Sequence, residues 1–288
     1  DKVKLTSTIM NVVRPRSLSE IVGQDRAVKA LFSRIASPYP QHLILYGPPG
    51  VGKTTLLNLL SGIKAPLCGS IDADSYKPYD RKPGFLSQLY FLPDESHKEY
   101  MSAYDYARGY GAFWPCFDMG KFLDLMRIFE MDTQQRMDQM STGQLKKTWL
   151  SFAIACQTKY LFLDEPTNGL DIPSKAQFRK AVTGFTREDS IVVISTHQVK
   201  DLENIIDPII ILDTREVLMN ATIEEIESKL YFDYGNELLP EALYREMIPG
   251  GMIQVAVNSG RESGRVNIEA LFNTVHQCKE LIKELFNK

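Results

Sequence analysis

Residues 41–55 read Gln-His-Leu-Ile-Leu-Tyr-Gly-Pro-Pro-Gly-Val-Gly-Lys-Thr-Thr, and no other stretch of the chain limits its fold so strongly. The apolar run at 42–46 has the length and content of a buried strand, and residues 55–60 continue as a helix. Between them lies Gly47-x-x-x-x-Gly52-Lys53-Thr54. In a strand–loop–helix setting, glycines let successive backbone N–H groups turn inward around an anion, with the positive end of the helix behind them. Gly47, Pro48, Pro49, Gly50, Val51, Gly52, Lys53, Thr54 and Thr55 are therefore the candidate nucleotide-binding residues. Lys53 would reach the β- and γ-phosphates of ATP, and the Thr54 hydroxyl would be a ligand for Mg2+. A glycine-rich turn with an incidental lysine is the competing reading, and the flanking strand and helix argue against it.

The 288 residues suit one large or two modest domains, and the composition, 44% hydrophobic and 24% charged, is that of a globular protein. A net charge of −3 gives no support for nucleic-acid binding, which needs a clustered basic face. The four cysteines, Cys68, Cys116, Cys156 and Cys278, form no Cys-x-x-Cys pair, which argues for a reducing compartment and against a zinc site. No run approaches the roughly 18–20 apolar residues of a membrane helix, and no signal peptide opens the chain. Its first residue is Asp1 rather than methionine, which reads as a fragment. Any membrane role is then expected to fall to a partner.

Further along, residues 89–92 form an apolar run ending at Pro93-Asp94-Glu95. Residues 96–140 are aromatic and helical in pattern, with Phe122, Leu125, Met126 and Phe129 expected as helix core. Met140-Ser141-Thr142-Gly143-Gln144 then precedes a helix with apolar positions Leu145, Trp149, Phe152, Ala153 and Cys156. A serine hydroxyl and a glycine N–H at a helix N-terminus make a second phosphate grip. A buried strand, 160–163, delivers Asp164 and Glu165. Asp164 would orient the magnesium shell and Glu165 would polarise the attacking water, as a catalytic base. A further core strand, 191–195, ends at Thr196-His197. Residues 209–212 and 216–219 read as a hairpin, residues 223–226 as a helix start, 252–257 as a strand, and 268–286 as one amphipathic helix through Leu271, Phe272, Val275, Ile282 and Leu285.

Two resemblances meet inside the phosphate loop. Residues 14–24, with Ser17 and Glu20 at capping-box spacing and Ile21-Val22-Gly23-Gln24 following, lead into a helical stripe at Val28, Leu31, Phe32 and Ile35. Together with Gly-Pro-Pro-Gly-Val-Gly-Lys-Thr, this segment, 14–55, resembles the start of Lon-type AAA+ ATPase modules, in which the Ile-Val-Gly-Gln turn lies beside the adenine. From residue 56 onward, the helix after the loop, Gly69-Ser70-Ile71, the turn 140–144 and the carboxylate strand resemble ABC-type ATPases. That resemblance makes Ser141, Thr142, Gly143 and Gln144 the signature that contacts the nucleotide of a partner subunit. It places Asp171, at the end of Thr167-Asn168-Gly169-Leu170-Asp171, in the loop that crosses to that partner, and makes His197 the catalytic switch histidine. Asp94, with Glu95 beside it, stands where the family offers a glutamine to the metal, Gln88 falling too early. The segment 1–40 contains no counterpart of the family's adenine-stacking strand, so nucleotide affinity is expected to rest on the triphosphate.

The 111 residues from Lys53 to Asp164, with a signature-like turn between, exceed the AAA+ interval and favour the ABC reading. The expected fold is α/β, a three-layer P-loop NTPase with a mainly parallel central sheet and an inserted helical subdomain at about 96–157. The expected division is an AAA+-like segment 1–40, an ABC-type core 41–230 and a strand/helix extension 231–288. What the resemblance implies is an MgATP-hydrolysing nucleotide-binding subunit of an ABC transporter. It would act as a head-to-tail homodimer or with a paired ABC ATPase subunit, with transmembrane subunits in trans, no nucleic-acid partner, and a cytoplasmic place at the inner face of the cell membrane. An AAA+-like remodelling module or an inactive chimeric nucleotide-binding scaffold is the alternative.

Overall fold

The computed structural model describes residues 42–66, 71, 73, 76–198, 202, 207–213 and 216–286. The AAA+-like segment 1–40, together with Gly69 and Ser70, lies outside them. Strand β1 (His42–Tyr46) runs through the loop into α1 (Lys53–Leu60), as the glycine pattern requires. With β2 (Leu89–Leu92), β3 (Tyr160–Asp164), β4 (Ile191–Thr196), β5 (Ile209–Asp213) and β6 (Glu216–Ala221) it makes one sheet in the order β2-β3-β4-β1-β5-β6. The first five strands are parallel, and β6 pairs antiparallel to β5 in the expected hairpin.

All residues of β3 and β4 are buried, which is the pattern of strands covered on both faces. Alternation sorts their side chains. Ile44, Leu161, Leu163, Val192 and Ile194 face a core that includes Leu145, Trp149 and Phe152. Leu43, Leu45, Phe162 and Val193 face Leu56, Leu57 and Leu60 of α1. Three layers follow, with the parallel sheet in the middle.

The helical arm consists of α2 (Ala103–Tyr110), α3 (Met119–Ile128) and α4 (Thr142–Ala155). Phe122, Leu125, Met126 and Phe129 are fully buried in it, and the five apolar positions read along α4 are buried too. The two indole N–H groups are satisfied by backbone, Trp149 donating to the His97 carbonyl and Trp114 to that of Leu89, each at 3.0 Å. Helix α5 (Ile172–Phe185) connects β3 to β4.

After α6 (Ile223–Lys229) comes a second, antiparallel sheet of β7 (Leu230–Asp233), β8 (Tyr244–Ile248) and β9 (Gly251–Val257) in the order β7-β9-β8. The one helix expected over 268–286 is two, α7 (Ile268–Gln277) and α8 (Lys279–Phe286). Cys278 separates them with a non-helical backbone, φ −119° and ψ 43°. The reason is that the apolar stripe serves two surfaces. Phe272 of α7 meets Tyr46 edge-on at 4.3 Å, while α8 lies along β6 with Lys283 2.6 Å from Glu216. Lys279 also pairs with Asp213 of β5. Among the described residues no helix is long and apolar enough to cross a membrane.

Candidate active site

Register brings the ends of three strands together. Tyr46 aligns with Thr196, and Asp164 with Ser195, so the loops after β1, β3 and β4 share the carboxyl edge of the sheet. Gly50 and Gly52 take φ of 87° and 98°, a backbone that side chains oppose. Gly47 is required for a different reason, since a Cβ there would stand 2.7 Å from the Leu212 carbonyl oxygen. Gly52 is the N-cap of α1, and no side chain caps this helix.

Lys53 is buried at 6% exposure. Its Nζ donates to the carbonyls of Gly47 (2.5 Å) and Pro48 (3.2 Å) and lies 3.7 Å from Glu165 Oε1. Burial lowers its pKa below that of an ordinary lysine, and the carboxylates of Glu165 and Asp164 oppose the fall. Asp164 accepts from the Ser195 and Thr54 hydroxyls. Burial pushes its carboxyl above the usual range. Those two hydrogen bonds pull it back, while Glu165 and Asp94 add to the rise.

Glu165 leaves the strand with φ 46°, and its N–H donates to Ser195 O at 2.9 Å. Its Oε1 lies 2.9 Å from His197 Nδ1, and its Oε2 accepts the His197 N–H at 3.3 Å. The carboxylate is thereby bracketed by Lys53 and His197.

Pro49, Gly50, Gly52, Lys53, Thr54, Thr55, Asp94, Glu165 and His197 line one cavity of about 260 Å3, joined by Asn58 and Lys64. Asp164 stands behind it through Thr54, and Gly47, Pro48 and Val51 complete the loop. Of the two acids after β2, Asp94 lines the cavity and Glu95 does not. Gln88 precedes β2 and so sits at the other end of the strand, its amide on the Gly84 carbonyl. The carboxylates available beside Thr54 are Asp164, which accepts from its hydroxyl, and Asp94, which lines the same cavity. Among the described residues no group of three or more His, Cys, Asp or Glu makes a self-contained metal site. That set fits a hard cation such as Mg2+ shared with phosphate oxygens.

Ser141, Thr142, Gly143, Gln144 and Asp171 do not line this cavity. Ser141 and Thr142 are exposed, and Ser141 caps α4. The Ser141 hydroxyl accepts from the Gln144 N–H at 3.2 Å, and the Gln144 side chain accepts from the Ser141 N–H at 3.0 Å. Asp171 is exposed and caps α5, accepting from Ser174 N at 3.0 Å, and the Ser174 hydroxyl together with that N–H lowers its pKa.

Four participants were not legible in the pattern: Lys146, Asn168 in its tertiary role, Asn58 and Lys64. Lys146 is 3% exposed on α4 and donates to the Asp94 carbonyl at 2.9 Å and to its carboxylate at 3.2 Å. The Asn168 amide reaches both carboxylate oxygens of Asp94 at 3.3 Å. The one signal available was Asp94 itself, an acid at the end of a core strand that needs a partner.

Residues 36–168 match the family model described as ABC transporter. An uncharacterized ABC transporter ATP-binding protein of Nostoc sp. is 28% identical over 195 residues, 63% of this chain and 56% of that protein. The chain thus spans little more than half of that relative's length. The dimeric structure of a post-hydrolysis state of an ATP-binding cassette, bound to ADP and Pi, aligns with TM-score 0.55 and 21% identity over 63% of this chain and 85% of that one. It shows that the fold is that of a P-loop ATP-binding cassette. Lon protease 2 of Bacillus subtilis is 47% identical over 58 residues, 20% of this chain and 10% of the protease. The AAA+ likeness is therefore confined to a short stretch.

Proposed function

We propose that the ABC transporter ATP-binding domain carried by this chain binds MgATP in the 260 Å3 cavity and hydrolyses it. One observation carries the reading. Lys53, Glu165 and His197 converge within 3.7 Å contacts at the mouth of a glycine loop. Gly47 to Thr55 would wrap the phosphates, with Lys53 on the β/γ oxygens. Glu165 would orient and deprotonate the attacking water, and His197, already on its carboxylate, would hold that carboxylate and meet the γ-phosphate. Thr54, Asp164 and Asp94 would hold Mg2+, which neutralises phosphate charge when bound.

The turn 141–144 and Asp171 have no nucleotide within reach in their own subunit on this reading. They would serve the site of a second copy or a paired ABC subunit in a head-to-tail dimer. Transmembrane subunits in trans would place the assembly at the inner face of the cell membrane. The division into a segment 1–40, a core 41–230 and an extension 231–288 belongs to the same proposal, as does a join between AAA+-like and ABC-like parts near the phosphate loop.

The 58-residue Lon likeness favours a second reading, an AAA+-like remodelling module. Light scattering of the purified chain with and without MgATP separates them. A monomer-to-dimer shift on MgATP supports the cassette, rings support the AAA+ reading, and nucleotide binding without turnover or assembly indicates an inactive scaffold. A Lys53→Ala variant that keeps wild-type nucleotide affinity overturns the site.

A further inference from the structure

We propose that Lys146 acts on this site through Asp94, offsetting the charge of that carboxylate from behind the cavity wall and so setting the balance between cation and phosphate affinity. The proposal rests on the ATP-site reading above. Three separate parts of the chain meet at Asp94. It follows β2, its carbonyl and carboxylate both take Lys146 of α4, and its carboxylate takes Asn168 from the loop after β3. Asn168 in turn donates its backbone N–H to the Glu165 carbonyl at 3.1 Å. Asp94 keeps 40% of its side chain exposed while Lys146 keeps 3%, so the carboxylate faces the cavity and the ammonium stands behind it.

The charge balance gives this pair a consequence. Asp94, Asp164 and Glu165 bring three carboxylates to the site, and the buried ammoniums of Lys53 and Lys146 oppose them. Lys53 is committed to the glycine loop and Glu165. Lys146 is what offsets Asp94, and it stands one turn into the helix that begins with the exposed Ser141 and Thr142. An ammonium beside Asp94 attracts a metal-free triphosphate and repels a divalent cation. Removing its charge must therefore move the two affinities in opposite directions, which loss of packing would not do.

The test uses the full chain, trinitrophenyl-ATP as the nucleotide probe and Mn2+ followed by electron paramagnetic resonance. Lys146→Met is expected to weaken metal-free nucleotide binding and to lower the Mn2+ concentration for half-saturation of the nucleotide-loaded protein. Each change should be about 3- to 30-fold, the range for one unit charge at a partly solvated site. Lys146→Arg keeps the charge and should therefore not move the two affinities in opposite directions. Asp94→Asn should reverse both signs, and Asp94→Asn combined with Lys146→Met should recover metal-free affinity to within about threefold. If Lys146→Met lowers thermal stability alone, or shifts both affinities the same way, the proposal is overturned. Should Lys146→Met not fold, unchanged affinities in Asp94→Asn overturn it equally. Wild-type nucleotide affinity in Lys53→Ala would instead indict the site reading, whatever Lys146 does.

Discussion

Two helix N-termini in this chain carry glycine-containing turns suited to phosphate, and they are finished differently. Helix α1 starts at Gly52 with no side chain capping it, and the lysine beside it folds back on the loop carbonyls. Helix α4 starts at Ser141 with a complete capping box, hydroxyl to backbone and amide to backbone. An uncapped N-terminus keeps its positive end available to an anion, whereas a capping box already supplies acceptors to that end. On the proposed reading the first serves a ligand within its own subunit. The second is already capped by its own side chains, and on the proposed reading it would serve the nucleotide of a second subunit.

The largest break in that contrast should come from the chemistry behind α1. Glu165→Gln keeps the shape of the site and removes the proposed base, so hydrolysis should slow on the order of 10²–10⁴-fold while nucleotide binding persists. Steady-state phosphate release together with equilibrium binding measures this, and full turnover in the variant would show that Glu165 is not the base. Next is Gly47→Ala. Its Cβ would meet the Leu212 carbonyl oxygen at 2.7 Å, a backbone atom that cannot swing aside. Overpacking of this kind costs about 1–3 kcal/mol, to be read from denaturant unfolding without nucleotide.

Ser141→Ala sharpens the difference between the two helix starts. Loss of an N-cap costs roughly 0.5–2 kcal/mol, and here it should appear in the nucleotide-free protein. ATP binding to the monomer should stay as in wild type, while hydrolysis falls if this turn serves a partner. A stability change of zero would mean that the capping box is not formed in solution.

The smallest effect concerns Asp164. Its folded pKa lies above the ordinary carboxyl value of 3.8 because burial disfavours the charged carboxylate. Between 3.8 and that raised value the folded protein holds more protons than the unfolded chain, so stability falls as pH rises through the window. At neutral pH the ionised Asp164 therefore works against folding. Asp164→Asn should raise the melting temperature at pH 7 by about 1–4 °C, and the gain should vanish as pH falls below the unfolded value. A melting temperature that drops at pH 7 would show that the hydrogen bonds from Ser195 and Thr54 outweigh burial.

Much of the fold was legible because its signals are local. The apolar runs that became β1, β2, β3, β4 and β5 need no distant information, and the hairpin from β5 to β6 follows from two short runs and a turn. Asp164, Glu165 and His197 were found because each ends such a run. The break at Cys278 was not legible, since the apolar stripe of 268–286 keeps a helical period across it. Strand β8 was missed as well, because its residues 245–247 are exposed and carry no alternating apolar pattern.

By itself the sequence determined the strand–loop–helix around Lys53, the carboxylates that follow β3 and the apolar faces of α4. These depend on backbone rules and periodicities that act over a few residues. Tertiary structure decided that Asp94 rather than Glu95 meets the cavity. It also decided that Lys146, 52 residues further along, answers its charge and that His197 and Lys53 close on Glu165. Compensation of charge depends on distance in space and on burial, and neither has a period that a sequence can display.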